Sequence, residues 1–175
     1  MPAKSTPSKP KSRGAETKIM MVCLGNICRS PMAEAVLAHQ ANEAGLAIEV
    51  DSSGTGDWHI GQNAHKHTLK VLAERGYGLK HKVKQFKPRY FDERDLIIAM
   101  DLSNLYDLEE MANEQDRDVE IRLLREFDPQ LSHLPKGHEQ LVVPDPYHHP
   151  LDEFRNVLDM VEAATAGLIK QLTKS

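Results

Sequence analysis

A thiol and a guanidinium stand six positions apart near the start of the chain, in the segment Cys23-Leu24-Gly25-Asn26-Ile27-Cys28-Arg29. A cysteine thiolate is a strong nucleophile, and arginine offers a planar fork of N–H donors that fits two oxygens of a phosphoryl group. This spacing also occurs by chance, in which case Cys23 simply ends a buried strand and Arg29 is a surface charge. The elements on either side therefore decide whether the two residues act together.

The flanking sequence predicts a strand, a tight loop and a helix. The apolar run 19–23 is typical of a strand buried on both faces, and Ser30-Pro31 is typical of a helix start, with the hydroxyl at the N-cap. Backbone N–H groups in such a loop, together with the helix dipole, bind an anion. The same cradle would stabilise a Cys23 thiolate, to which Ser30 could donate a hydrogen bond. The segment therefore predicts a phosphate site that contains its own nucleophile.

The remaining apolar runs predict an α/β fold. Strands alternating with helices are typical of three α/β/α layers around a parallel sheet, here with four strands. Ligands bind such sheets at the carboxyl ends of the strands, where we expect Cys23, the loop Ser52–Trp58 and Asp101. We predict strands over 19–23, 46–50, 96–100 and 120–124, and helices over 32–44, 64–75, 102–112 and 151–172. Gly45 and Gly76 are expected to end the first two helices.

Composition limits the classes of function. The chain has 175 residues, enough for one domain, which we place at 17–175; the Pro-, Ser- and Lys-rich segment 1–16 predicts a disordered basic tail. The net charge is −4 despite that basic tail, so the body is acidic, which disfavours nucleic acid as a partner. No apolar run is long enough for a membrane span, and the basic N-terminus lacks the apolar stretch of a secretory signal, so we expect a cytoplasmic protein.

The two cysteines, Cys23 and Cys28, are expected to be reduced thiols rather than a disulfide framework. They cannot supply the four ligands of a structural zinc site, and no histidine stands at a metal-ligand spacing from them, so we predict neither a metal nor another cofactor. Cys28 lies within the cradle. It could protect Cys23 through a reversible disulfide under peroxide, or be a second small loop residue with no redox role.

Residues 22–34, Val-Cys-Leu-Gly-Asn-Ile-Cys-Arg-Ser-Pro-Met-Ala-Glu, resemble the signature of the low-molecular-weight protein tyrosine phosphatases. The resemblance extends over nearly the whole chain from Lys18. It includes the blocks 53–58, 100–104 and Asp145-Pro146-Tyr147 in matching order, and Gly-Thr-Gly-Asp-Trp resembles the bacterial branch. It implies the flavodoxin-like phosphatase I fold. It also implies hydrolysis of phosphotyrosine through a cysteinyl-phosphate intermediate.

The resemblance also implies roles for individual residues. Cys23 would be the nucleophile, Arg29 the phosphate ligand and Asp145 the general acid that a phenolate leaving group requires. Asp145 lies between prolines, whereas the other Asp-Pro pair, Asp128-Pro129, reads as a turn or loop-bracing carboxylate. Phosphate and substrate would contact Leu24, Gly25, Asn26, Ile27, Cys28, Ser30, Trp58 and Tyr147, and the supporting residues would be Ser52, His81 and Asp101. Asp101 could equally be a helix N-cap.

Two departures from relatives lie at the expected substrate rim. The segment 61–67 lacks the Pro and Asp that relatives commonly have, and His148 follows Tyr147 where many have a second tyrosine. Three alternatives remain: a thiol-dependent arsenate reductase, which needs a relay of further cysteines; a phosphoarginine phosphatase, whose relatives carry Thr at the Ile27 position; and a non-catalytic phosphate-binding or redox-sensing module. The expected partners are phosphotyrosine proteins and a cognate tyrosine kinase, with the chain a monomer or weak dimer.

Overall fold

A four-stranded parallel sheet forms the centre of the molecule. The computed structural model describes residues 16–174. The strands are β1 (Thr17–Cys23), β2 (Ile48–Gly54), β3 (Leu96–Ala99) and β4 (Ile121–Leu123), in the spatial order β2-β1-β3-β4. The chain moves to one side of β1 to form β2 and to the other side to form β3. The carboxyl end of β1 is therefore the switch point at which such sheets bind ligands.

Helices cover both faces of the sheet, which confirms the predicted three-layer α/β/α fold. The helices α1 (Arg29–Glu43), α2 (Lys66–Glu74) and α5 (Leu151–Thr173) pack on one face. The other face holds α3 (Tyr90–Glu93) and α4 (Leu102–Glu114). Short 3₁₀ turns follow at Leu124–Phe127 and Glu139–Leu141.

Alternate residues of β1 enter two separate apolar cores. Ile19 and Met21 face α1 and α5, whereas Met20 and Val22 face α4, and all four are fully buried. Because side chains alternate across a strand, a strand covered on both faces reads as a continuous apolar run. This burial explains why the segment before Cys23 carried a clear strand signal.

The second strand lies further along the chain than the sequence predicts. We predicted 46–50, but β2 runs from Ile48 to Gly54 and pairs with β1 up to the partners Cys23 and Gly54. Leu46 instead donates its N–H to the Ala41 carbonyl at 2.9 Å, in the turn that closes α1. Ser52 therefore lies within a strand, and the predicted loop Ser52–Trp58 begins only at Thr55.

The predicted start of α1 was also wrong. The helix begins at Arg29 with Cys28 at the N-cap, and no side chain caps it. Ser30 is its second residue, so its hydroxyl is free to bond elsewhere. Pro31 is tolerated at the third position because the first four helical N–H groups have no intrahelical acceptor.

Other bounds differ by a few residues. The helix α2 begins at Lys66 rather than 64, because the His65 ring accepts from the His67 N–H and caps it. The short helix α3 was not predicted. Gly45 and Gly76 have positive φ after α1 and α2, as expected of helix-ending glycines.

The predicted basic tail falls almost entirely on residues 1–15, which lie outside the described residues, so it stays a prediction. Between residues 16 and 174, none of the helices combines the length and apolar composition that a bilayer crossing requires. In the same range, no three His, Cys, Asp or Glu side chains cluster as metal ligands.

Candidate active site

The loop between β1 and α1 wraps around the sulfur of Cys23. Cys23 is the last residue of β1 and Arg29 the first of α1, so five residues make the connection. The Asn26 N–H donates to the Cys23 sulfur at 3.3 Å, and the Ser30 hydroxyl lies 3.0 Å from it. Both groups can donate to a thiolate, and a buried thiolate with such donors is a competent nucleophile.

Asn26 holds the loop in an unusual conformation. Its φ is +57°, in the left-handed region, and its side chain is fully buried. The amide nitrogen donates to the Ser30 and Ser52 hydroxyls at 2.8 and 3.0 Å, and the amide oxygen accepts from the Lys84 N–H at 3.1 Å. His81 lies 2.7 Å from the Asn26 carbonyl, so its Nε2 must carry the proton that it donates.

The hydrogen bonds continue from Asn26 to α1. Ser52, which receives the Asn26 amide proton, donates its own proton to the Glu34 carboxylate at 2.7 Å. Burial raises the pKa of Glu34, while the Ser52 hydrogen bond opposes that rise. The chain Asn26–Ser52–Glu34 ties the loop to both β2 and α1.

Arg29 is held by two residues from outside the loop. One of its nitrogens donates to the Asp101 carboxylate at 2.6 Å and to the Val143 carbonyl at 3.0 Å. Burial alone would lower the pKa of Arg29, but the neighbouring Cys23 and Asp101 raise it above its ordinary value, so the guanidinium stays charged. Its buried Nε has no hydrogen-bond partner among the described residues. That donor is available to a phosphoryl oxygen.

Asp145 lies at the mouth of the same site. Its carboxylate is 3.6 Å from a terminal nitrogen of Arg29 and half-exposed, and it also accepts from the Tyr147 N–H at 3.1 Å. A cavity of about 270 Å³ opens between the loop and Asp145. It is lined by Cys23, Leu24, Gly25, Ile27, Cys28, Arg29, Trp58, His59, Asp145, Tyr147 and His148.

The structure thus brings the residues singled out from the sequence into one site. Asp101 accepts a hydrogen bond from Arg29, and it also caps α4 by accepting from the Asn104 N–H at 2.8 Å, so it makes the contacts that both interpretations require. Asp128 does not line the cavity, and it accepts from the Gln130 N–H at 3.0 Å, as in a turn.

The expected substrate rim coincides with the cavity only in part. His148 lines the cavity, but none of residues 61–67 does. That segment supports the loop from outside, since the His65 N–H donates to the Ile27 carbonyl at 2.8 Å. The His65 ring packs against Tyr147 and Phe154.

Several contributors were missed in the sequence. His59 lines the cavity, and its position beside Trp58 was the one available signal. The carbonyl of Val143 and the N–H of Lys84 are backbone groups, whose use no residue type reveals. Burial, reinforced by the neighbouring charges at Cys23 and Asp145, raises the pKa of Cys28 to about 12, so this second cysteine is a thiol at neutral pH.

A parallel α/β sheet with a Cys–Arg phosphate cradle at its switch point and a carboxylate at the cavity mouth defines the class of cysteine-dependent phosphatases. The family model for low molecular weight phosphotyrosine protein phosphatase matches residues 18–175. The chain belongs to this family and is a protein-tyrosine phosphatase.

Individual relatives cover almost the whole chain. A low molecular weight protein-tyrosine-phosphatase of Streptomyces coelicolor is 45% identical over 154 residues, which are 87% of this chain and 91% of the relative. The crystal structure of a protein tyrosine phosphatase from Entamoeba histolytica is 34% identical with a TM-score of 0.80, covering 91% of this chain and 98% of that one. A drosophila arginine phosphatase is 28% identical, also with a TM-score of 0.80, covering 89% and 98%.

Proposed function

We propose that this phosphatase hydrolyses phosphotyrosine in proteins with Cys23 as nucleophile, Asp145 as general acid and Arg29 as the main phosphate ligand. The observation that carries the proposal is that the Cys23 sulfur, the Arg29 guanidinium and the Asp145 carboxylate all line one cavity. The cavity also provides apolar wall for a phenyl ring.

The proposed reaction has two steps. The Cys23 thiolate attacks phosphorus, forming the S–P bond while the P–O bond to the phenol breaks, and Asp145 gives its proton to the departing phenolic oxygen. The Asp145 carboxylate then takes a proton from a water molecule, and the oxygen of that water attacks phosphorus. The S–P bond breaks, and phosphate and the thiolate are released. Ser30 and the Asn26 N–H stabilise the thiolate at both ends of the cycle.

Arg29 and the loop amides stabilise the charge on the equatorial phosphoryl oxygens in both steps. Asp101 and the Val143 carbonyl occupy one nitrogen of Arg29 and so fix the plane of its guanidinium. The unpartnered Nε and the nitrogen near Asp145 then remain available to the phosphoryl oxygens. This pre-set orientation is what makes an arginine effective as a bidentate ligand.

The wall residues favour a phenyl ring over a guanidino group. Ile27, buried in the loop, and Tyr147 line the cavity with aliphatic and aromatic surface, and Trp58 is largely exposed beside them. A flat aromatic substrate gains contact area against such walls. Phosphoarginine is the second candidate substrate, because arginine phosphatases share this fold. A comparison of kcat/KM on the two phospho-residues decides between them.

The catalytic roles are tested by substitution. Cys23→Ser is expected to abolish hydrolysis of p-nitrophenyl phosphate, and Asp145→Ala to lower kcat by about 10²–10⁴ on a phosphotyrosine peptide, the usual contribution of a general acid. Asp128→Asn is the matched control, since Asp128 is the other Asp-Pro carboxylate and lies outside the cavity. Retained activity in Cys23→Ser, or a loss below tenfold in Asp145→Ala, contradicts the assignment.

Four finer proposals accompany the function. The substrates are phosphoproteins, and we propose that a tyrosine kinase of the same cell supplies them in the cytoplasm. We also propose that residues 17–175 form the catalytic unit and act as a monomer or weak dimer. Light scattering during gel filtration tests the last point, and a dimer that does not dissociate on dilution contradicts it.

A further inference from the structure

A second cavity adjoins the active site. Its volume is about 380 Å³, and it shares two lining residues, Leu24 and Trp58, with the catalytic cavity. Its floor comes from Thr55 and Gly56, and its far wall from α4. A peptide whose phosphotyrosine enters the first cavity must leave across this boundary or on the opposite side. An extended chain advances about 3.3 Å per residue, so a neighbouring side chain reaches the second cavity within a few residues.

The wall that α4 contributes is acidic. It consists of Asp107, Glu110 and Glu114, together with Met111, which recur at the spacing of one helix face. Among residues 16–174, no basic side chain lines the cavity. Like charges three and four positions apart destabilise a helix, so this stripe lowers the stability of α4.

Within the described range 16–174, none of these three carboxylates forms a salt bridge with a basic side chain. By contrast, Arg75, Arg94 and Arg155 each bind at least two carboxylates. Within residues 16–174, the negative charge beside the catalytic cavity is therefore uncompensated.

Trp58 stands between the two cavities with 65% of its surface exposed. Its ring lies directly over Gly56, where a Cβ atom would sit 1.9 Å from the indole. The backbone thus supports the ring in place without a side chain beneath it. An exposed indole is the best aromatic partner for a cation, arginine above all.

We propose that the second cavity binds a basic side chain, preferably arginine, that lies within about three residues of the phosphotyrosine in the substrate. The carboxylates supply the charge complementarity, and Trp58 supplies a surface on which a guanidinium stacks. The proposal rests on the proposed function, since it concerns the peptide that carries the phosphotyrosine. It adds a substrate class: phosphotyrosine sites flanked by basic residues.

The test uses phosphotyrosine peptides that are identical except for one position. An alanine-based peptide carries Arg, Ala or Glu at each position from three before to three after the phosphotyrosine. We expect Arg at one or more positions to raise kcat/KM over Glu by about three- to tenfold, the range of a few exposed ion pairs. The difference should shrink at 0.5 M NaCl, because salt screens exposed charges.

Two triple variants distinguish an effect of the second cavity from an effect of the net charge of the protein. Asp107→Asn/Glu110→Gln/Glu114→Gln should abolish the preference for Arg and leave p-nitrophenyl phosphate hydrolysis unchanged. The control Glu49→Gln/Glu109→Gln/Glu139→Gln removes the same charge outside the cavity and should keep the preference. An equal loss in both variants, or wild-type enzyme that does not distinguish Arg from Glu at any position, overturns the proposal.

Binding is measured separately from turnover. Trp58 is the single tryptophan of the chain, so its fluorescence reports peptide binding to the Cys23→Ser protein. Arg peptides should bind more tightly than Glu peptides and perturb the emission. If the wild type does not hydrolyse p-nitrophenyl phosphate, the proposed function fails. If it does so without distinguishing the peptides, only the inference about the second cavity fails.

Discussion

Asn26 combines a left-handed backbone with a side chain that makes three hydrogen bonds, to Ser30, Ser52 and Lys84. Each bond joins the loop to a different part of the chain. A non-glycine residue in this conformation is costly unless its surroundings over-determine it, and such residues cluster at active sites. The hydrogen bonds of the Asn26 side chain therefore help to hold its backbone N–H against the Cys23 sulfur.

Asn26→Ala is expected to lower kcat by at least tenfold and the free energy of unfolding by about 2–4 kcal/mol. The variant loses buried hydrogen bonds and keeps an unfavourable φ. Steady-state kinetics and urea unfolding measure the two effects. Asp116→Ala is the matched control, because Asp116 has φ +52° on the exposed surface. If both variants behave alike, the backbone conformation alone explains the loss.

At the scale of elements, α5 approaches the 3₁₀ turn Leu124–Phe127 closely. A Cβ at Gly167 would lie 1.8 Å from the Phe127 carbonyl oxygen, a distance that side chains do not tolerate. Gly167 is buried within the C-terminal half of a 23-residue helix. The approach anchors the start of the loop that carries Asp145.

Gly167→Ala tests this contact, since two effects predict opposite signs. Helix propensity alone would stabilise the protein by about 1 kcal/mol. Overpacking against a carbonyl should instead destabilise it by about 1–3 kcal/mol. We expect a lower midpoint in guanidinium unfolding. Gly78→Ala is the control, because no atom lies near its Cβ position and its φ is not positive, so its change should stay within about 0.5 kcal/mol. If Gly167→Ala stabilises the protein, α5 can move away from the Phe127 carbonyl at little cost, and the contact is not a tight one.

At the scale of the whole molecule, His81 links the catalytic loop to overall stability. Burial lowers the pKa of His81, and Lys84 lowers it further, although its hydrogen bond to the Asn26 carbonyl acts in the opposite direction. Below the ordinary pKa of 6.5 the unfolded chain therefore binds more protons than the folded one. The stability that neutral His81 contributes is present above pH 6.5 and is lost as pH falls toward the lower folded value.

The free energy of unfolding should accordingly fall between pH 7.5 and pH 5.5, and less steeply in His81→Gln than in the wild type. Urea unfolding across that range measures the slope. His133→Gln, which alters an exposed histidine, should retain the wild-type slope. An unchanged slope in His81→Gln would mean that other groups carry the pH dependence.

Local sequence determined much of this protein. The apolar run before Cys23, the alternation of strands and helices, and the Cys–Arg spacing sufficed to predict a parallel sheet with a phosphate cradle at its switch point. These features depend on periodicity and on residue chemistry, which neighbouring positions carry. The family resemblance then assigned Asp145, which lies more than a hundred positions downstream.

The tertiary structure decided what depends on pairing across long separations. The register of β2 against β1 extended the strand to Gly54 and placed Ser52 beside Asn26, which no local propensity encodes. The Ser30 hydroxyl bonds the Cys23 sulfur and does not cap α1, because the helix already begins at Arg29. The cavity beside Trp58 likewise exists only because α4 returns to the loop after β2. Residue types therefore predicted the chemistry of the site. The packing of distant segments determined the geometry of the catalytic loop and the cavity that lies beside it.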